Sequence, residues 1–333
     1  MGGDRAPLMV VEGLEIAAER HPGARFLLVG DEAKLKPLLA NHRRAAAACD
    51  VRHAPEVIGN DMKPTAALRV RGSSMRVAID AVASGEASGV VSAGNTGALL
   101  AIATIVIKTL PGIDRPAMAA IGPSARGDVV MLDLGANVQC DTRNLVEFAV
   151  MGDVFARTVL GLTSPSIGLL NVGTEELKGD NTLRLAAETL RASHIAPQFV
   201  GFVEGHDIAA GTTDVVVTDG FTGNVALKTG EGALKLIGDL LRQVFRSSLT
   251  AKIAYLLLRP SLSRLREWLD PRRYNGAVML GLNGVVVKSH GGTDGEGFAH
   301  AVDVSMDMVV HRFNDHIRED LARIAGLMLA PVT

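Results

Sequence analysis

Several short stretches of this sequence set small residues beside hydroxyl, amide or charged side chains, a combination that can hold an anion next to a reacting carbonyl. Val90-Val91-Ser92-Ala93-Gly94-Asn95-Thr96-Gly97 reads as a strand, a small-residue turn and a helix start. Small residues let backbone N–H groups approach an anion, and a helix N-terminus adds unpaired donors and a positive dipole. Ser92, Asn95, Thr96 and Gly97 are the candidate contacts, although an ordinary N-cap by Asn95 or Thr96 would use the same residues without a ligand. Asp219-Gly220-Phe221-Thr222-Gly223-Asn224 repeats the design after an apolar run, with Lys228 one helical turn further on. Asp219, Thr222, Gly223, Asn224 and Lys228 therefore form a second candidate anion loop.

The stretch Asn171 to Gly179 places Asn171, Glu175 and Lys178 on a loop after a buried strand. A lysine there could neutralise a phosphate or the developing oxyanion of a thioester under attack. The plainer alternative is a surface ion pair between neighbours. Lys288-Ser289-His290-Gly291-Gly292 closes another apolar strand and sets a cation and an imidazole beside two glycines, so His290 could give a proton to a leaving thiolate or orient phosphate. Asp133 and Asn137, in the turn after Val129 to Leu132, complete the polar set. Cys140 follows that turn, yet no histidine neighbours it in sequence, and a buried inert thiol is the commoner case. The sequence has no H-E-x-x-H and no clustered Asp/His spacing, so no metal is expected. It also has neither G-x-G-x-x-G nor G-x-x-x-x-G-K-[ST], so no nucleotide cofactor is indicated.

The elements that must carry these loops are short β-branched runs alternating with helical stretches: Phe26 to Val29, Gly89 to Val91, Val129 to Leu132, Ile167 to Leu170 and Val215 to Val217. That alternation predicts an α/β fold, a doubly wound, largely parallel sheet in an α/β/α arrangement with ligands beyond the carboxyl ends of the strands. On that plan four strand ends are expected to share one mouth. The 333 residues are 47% hydrophobic and 21% charged, with 36 glycines and 4% aromatics, which suits many βα turns and aliphatic layers better than a β-sandwich. No repeat or Ser/Gly linker interrupts the chain, so residues 1–333 are read as one unit.

A net charge of −2 gives no global field for nucleic acid. Two cysteines, Cys49 and Cys140, are too few to staple a chain this long and point to a reducing, cytoplasmic setting. The longest apolar run, Ala98 to Ile107, is about half of the ~20 residues that span a bilayer. The segment 242–273 stands apart. Leu249, Ile253 and Leu256, then Leu262, Leu265 and Leu269, give two apolar stripes at helical period separated by Arg259-Pro260, which predicts a helical hairpin broken at the proline. With eight basic residues against Glu267 and Asp270 it carries a net +6.

Taken in order, Met1-Gly2-Gly3-Asp4 with Ala6-Pro7, Ser92 to Leu99, Leu132 to Asn137, Asn171 to Gly179, Val203-Glu204-Gly205, Asp214 to Lys228 and Tyr274-Asn275-Gly276 through Gly291 closely resemble the acyl-acyl carrier protein:phosphate acyltransferases, the PlsX family, over nearly the full chain. The resemblance implies an isopropylmalate dehydrogenase-like and phosphotransacetylase-like fold. It implies attack by a phosphate oxygen on a fatty acyl thioester, release of acyl carrier protein, and acyl phosphate passed to a glycerol-3-phosphate acyltransferase for phospholipid synthesis. It also implies a homodimer held peripherally on the inner face of the cell membrane by the hairpin, whose basic helices suit acidic carrier protein and anionic lipid. Apolar stripes in dimer core are the plainer use.

Two departures from the family pattern stand out. Members usually carry a short strand before the Met-Gly-Gly-Asp string, so a sheet position is expected to be open here; and Gln139 stands where an acidic residue is common. No activated serine or cysteine is needed, because phosphate is the nucleophile. Asn95, Thr96, Asn224 and Lys288 are expected to hold phosphate, with Lys178 and His290 stabilising charge at the thioester. Asp133, Asn137, Glu175 and Asp219 are expected to orient them. Transfer from a coenzyme A thioester, and a peripheral membrane scaffold without turnover, are the competing readings.

Overall fold

The computed structural model describes residues 1–328 apart from 194, 196 and 197. The chain runs α1 (Leu8–Arg20), β1 (Phe26–Gly30), α2 (Glu32–Leu39), α3 (Arg43–Ala48), β2 (Cys49–His53), α4 (Pro64–Ala67), α5 (Ser74–Ala83), β3 (Gly89–Ser92), α6 (Thr96–Val106), β4 (Ala117–Ser124) and β5 (Gly127–Leu132). It continues α7 (Thr142–Val159), β6 (Ile167–Leu170), α8 (Asn181–Arg191), β7 (Phe199–Val203), α9 (Gly205–Ala210), β8 (Val215–Val217), α10 (Gly220–Arg246), α11 (Leu249–Trp268), β9 (Ala277–Leu280), β10 (Val285–Lys288), α12 (Gly295–Val310) and α13 (Phe313–Met328).

Eight strands form one sheet in the order β3-β10-β9-β4-β5-β8-β6-β7. Strands such as Val215–Val217 are apolar at every position because both sides are covered, and all three residues are buried. On one face Val130, Leu132, Val215, Val217, Val278, Leu280 and Val287 pack with Phe148, Phe155 and Phe313 from the helices behind them. On the other, Val90, Met279 and Val286 meet Ile79, Leu99 and Ile102, while Val129, Met131 and Val216 lie under Ile208, Ala226 and Leu227. The result is the expected doubly wound α/β/α architecture.

The pairing directions decide where loops emerge. β10 is parallel to β3, but β9 is antiparallel to β10, β4 is antiparallel to β9 and β5 is antiparallel to β4. From β5 onward, β8, β6 and β7 are again mutually parallel. The chain direction of the β3/β10 pair is thus opposite to that of β5, β8, β6 and β7.

β1 and β2 pair only with each other. Between the free edges of β1 and β3 lies a cavity of about 960 Å³, lined along both strands by Phe26 to Val29 and Gly89 to Ser92.

The hairpin is present, but its turn lies elsewhere. α10 is continuous for 27 residues from Gly220 and α11 for 20 residues, with Pro260 inside the second helix. The break falls at Ser247-Ser248. Ser247 donates to the carbonyl of Val244 at 2.7 Å and Ser248 caps α11 by accepting from the Ala251 N–H at 3.1 Å. The boundaries 242–273 therefore cut into α10, and Pro260 does not end its helix. The helix is exposed around Pro260, so water can serve the carbonyl that the proline cannot.

Candidate active site

The polar loops leave the sheet in two opposite directions, not from one set of parallel strand ends. Lys288 pairs with Ser92 and with Ala277 at the start of β9, and Leu132 stands opposite Ala119, which itself pairs with Val278, so β10 and β5 end at nearly the same level but run in opposite directions. The Ser92 to Gly97 and Lys288 to Gly292 loops thus leave from strand ends of one direction. The loops after Leu132, Leu170 and Val217, strands held in mutual register, leave from those of the other. Hydrophobic pattern reports burial but not strand polarity, and the antiparallel β4/β5 hairpin reverses the direction.

At the first end the loops interlock through backbone. Ser289 donates to the carbonyl of Ser92 at 2.9 Å, and Asp4 donates its N–H to the carbonyl of Gly291 at 2.8 Å. A Cβ on Gly2 would lie 2.6 Å from the Gly94 Cα, so only a glycine at position 2 permits this backbone approach. The Ser92 hydroxyl accepts from the Gly94 N–H at 3.2 Å. Lys288 sits mostly buried at the strand end, and burial, opposed by Asp4, pulls its pKa down to about 8. Next to it the exposed His290 donates its N–H to Asn275 Oδ1 at 2.7 Å. Its Nδ1 accepts from the Gly292 N–H at 3.1 Å, which leaves the proton on Nε2 in the neutral ring.

The Asn95 side chain is engaged within the protein. Its Oδ1 caps α6 by accepting from the Ala98 N–H at 3.0 Å, and its Nδ2 donates to the carbonyls of Gly59, Asn60 and Met62 at 3.1, 3.0 and 2.9 Å. The amide is used in clamping the 59–62 loop, the cap reading carried further. Gly97 is pressed towards Pro64, 3.0 Å from where a Cβ would stand, while Thr96 is exposed in the first helical turn.

At the second end Asp133 is fully buried and saturated. Oδ1 accepts from the N–H groups of Met118, Gly135 and Ala136 at 3.0, 3.2 and 2.9 Å, and Oδ2 from Asn137 N and Nδ2 at 2.7 and 2.8 Å. Burial pushes this carboxyl up and the N–H donors hold part of that shift back. Asp133 and Asn137, which also donates to the Pro116 carbonyl at 2.8 Å, build the turn from within and leave little to meet a substrate. The start of α10 packs on that turn: a Cβ on Gly223 would lie 2.0 Å from the Asp133 carbonyl oxygen and one on Gly220 2.6 Å from that of Asn137. Asp219 caps α10, accepting from Thr222 N and Oγ1 at 2.9 and 2.7 Å, so Thr222 turns towards its own cap. Asn224 is exposed, with its side chain against Gly135.

Lys178 and Lys228 each stand beside a glutamate three residues away. Lys178 pairs with Glu175 at 3.2 Å and Lys228 with Glu231 at 2.8 Å, all four side chains half exposed or more. The Glu175 carboxyl is held below its usual range, first by its own backbone N–H and then by Lys178. Asn171 shapes the loop, accepting from Val172 N at 2.8 Å and donating to the Lys178 carbonyl at 3.1 Å. Burial, with Asp133 and Asp219 nearby, pushes the Cys140 thiol up to about 12, so no thiolate nucleophile is on hand at neutral pH. Among the described residues no group of three or more His, Cys, Asp or Glu is placed to hold a metal ion.

A family model described as "Fatty acid synthesis protein" matches residues 1–316. The chain belongs to this family. It is 72% identical over 327 residues to a protein of Granulibacter bethesdensis, covering 98% of this chain and 89% of that one, and 60% identical over 331 residues to one of Rhodospirillum centenum, covering 99% and 93%. Both are named "Phosphate acyltransferase". The family member described here is accordingly an acyltransferase enzyme. Among solved structures it is similar to a phosphotransacetylase from Streptococcus pyogenes, with TM-score 0.58, 19% identity and coverage of 90% of this chain and 91% of that one. EutD phosphotransacetylase from Staphylococcus aureus gives TM-score 0.51 at 15% identity, covering 90% and 98%. At these identities the likeness concerns the fold.

Asp4 and Asn275 are the residues at the Lys288 end that motif reading left without a role. Both occupied strings that resemble the family, but their signal is contact geometry, invisible until Gly291 and His290 are seen against them.

Proposed function

We propose that this enzyme transfers a fatty acyl group from the thioester of acyl carrier protein to inorganic phosphate, giving acyl phosphate, and that the reaction runs at the carboxyl ends of β3 and β10. The observation that carries the placement is Lys288: a mostly buried cation beside an imidazole, facing a small-residue loop that opens a helix. Lys288 and the exposed Thr96 hold the phosphate, and its oxygen attacks the thioester carbonyl. The His290 Nε2–H donates a hydrogen bond to the departing sulfur, so the C–O bond forms as the C–S bond breaks, and the stabilised thiolate takes its proton from solvent. Positioning and charge stabilisation are the protein's contribution. Asn224 and the exposed first turn of α10 are the polar groups at the other end that remain open to substrate.

The hairpin supports a protein carrier and a lipid surface. Leu249, Ile253, Leu256 and Leu257 are all more than half exposed on a segment with net +6, which fits an acidic partner, an anionic membrane surface and a second copy of the chain. Among the described residues no helix is long and apolar enough to cross a membrane, so peripheral attachment is the mode proposed. The acyl phosphate would then serve a glycerol-3-phosphate acyltransferase in phospholipid synthesis. Matched acyl thioesters of carrier protein and of coenzyme A, each incubated with phosphate, test the reading: faster phosphate-dependent thiol release from the carrier protein supports it. A strong preference for coenzyme A, or liposome binding with no thiol release from either donor, overturns it.

A further inference from the structure

We infer that Asn275 is a positioning residue of the reacting site, fixing the Ser289–Gly291 turn and through it the pose of Lys288 and His290. This rests on the placement of the chemistry at the Lys288 end proposed above.

Asn275 lies between α11 and β9 and is 7% exposed. Its amide meets three groups at once. Nδ2 donates to Ser289 Oγ at 2.8 Å and to the carbonyl of Gly297 at 2.6 Å, and Oδ1 accepts from the His290 N–H at 2.7 Å. Two of these partners flank one peptide bond of the turn, and the third belongs to the first turn of α12. A planar group with two donors and one acceptor on a single methylene is what these positions require. Aspartate would keep the acceptor and lose both donors; serine would be too short to reach all three. The surroundings leave the chain no room to compensate. Gly276 has φ +128°, and a Cβ there would stand 3.1 Å from the Cα of Ala301 in α12. Ser289 is fully buried, so its hydroxyl has no water to replace the amide.

The consequence for chemistry follows from the order of residues. Lys288 precedes the clamped Ser289 and donates to its carbonyl, while His290 follows it and takes its orientation from the same backbone. A sub-ångström shift of this turn therefore moves the cation and the imidazole together, and such misplacement is costly in a site that works by alignment.

The test combines kinetics with a direct reading of Lys288. Asn275→Ala, Asn275→Asp and Ser289→Ala are compared with the unaltered enzyme in phosphate-dependent acyl transfer from pH 6 to 9.5, with circular dichroism to verify folding and NMR of ε-¹³C-labelled lysine to follow the Lys288 titration. The expected result for Asn275→Ala is at least a tenfold loss of kcat, a move of about half a pH unit or more in the basic limb, and the same move in the Lys288 resonance. Ser289→Ala, which removes one of three bonds, gives a smaller shift in the same readouts. A folded Asn275→Ala with unchanged kcat overturns the inference, as does lost activity with limb and resonance unmoved, which is general destabilisation. If Asn275→Ala does not fold, Ser289→Ala decides by the same criteria. Lys288→Met separates this inference from the reading beneath it. Full turnover in that variant removes the proposed reaction site, and the lysine resonance in Asn275→Ala still tells whether Asn275 sets the turn.

Discussion

The two sets of strand ends carry similar loops but treat their lysines differently. At the β3/β10 end Lys288 is mostly buried, and burial, opposed by the charge of Asp4, draws its pKa to about 8. At the other end Lys178 and Lys228 lie on the surface, each engaged by a glutamate three residues away. The acidic residues differ likewise. Asp133 is spent on five N–H groups inside its turn, while Asp4 lies exposed beside the Gly291 loop. A charge kept out of water and unpaired is costly to maintain and strong when an anion arrives, whereas an exposed pair is worth little and gives little. On the proposed placement, one end does the electrostatic work and the other builds a rigid turn.

The sharpest way to break this contrast is to remove each lysine. Lys288→Met should lower kcat/KM for phosphate-dependent transfer by about 100-fold or more, the scale of losing one preorganised charge-stabilising group. A loss below tenfold in a folded protein would equalise the two ends. The same variant has a stability signature. Because the folded pKa of about 8 lies below the unfolded value near 10.4, the unfolded state binds more protons between those limits, and stability rises with pH across that window. The charged, buried Lys288 therefore costs stability at pH 7, by about 3 kcal/mol at the most. Lys288→Met should be more stable than the unaltered enzyme in urea at pH 7, and the advantage should fade by pH 10.5.

At the opposite end Asp133→Ala should act on folding first. It strands several buried N–H donors, for a loss of about 3 kcal/mol read from the urea midpoint. Intact stability would mean that Asp133 does not hold the turn.

Much of this contrast could be read in the residues, and part of it could not. Runs such as Ile167–Leu170 and Val215–Val217 announce buried strands, and the small-residue turns after them announce helix starts, so the fold class and loop positions were legible. Strand polarity was not, because alternation of burial is the same for parallel and antiparallel neighbours, and the β4/β5 pair sends the loops in two directions. Nor was the use of an amide. Asn95 reads as a phosphate ligand until the carbonyls of Gly59, Asn60 and Met62, more than 30 residues away in sequence, are found around it. Asn275 escaped for the same reason. Pro260 drew attention as a breaker, while the true hinge at Ser247-Ser248 is marked only by two hydroxyls capping two helix ends.

The smallest expected effect tests the silent side of the comparison. Lys178→Ala and Lys228→Ala each remove one member of an exposed pair at i,i+3 spacing, worth at most a few tenths of a kcal/mol. Steady-state kinetics with the carrier-protein thioester should stay within about twofold of the unaltered enzyme, and the urea midpoint should hardly move. Lys178 gives the stronger test, since its loop leaves the same end as the exposed Asn224 and could reach a bound thioester. If Lys178→Ala instead lost turnover tenfold with KM for phosphate unchanged, the ion pair with Glu175 would be a resting arrangement that substrate displaces. Catalysis would then draw on both sets of strand ends.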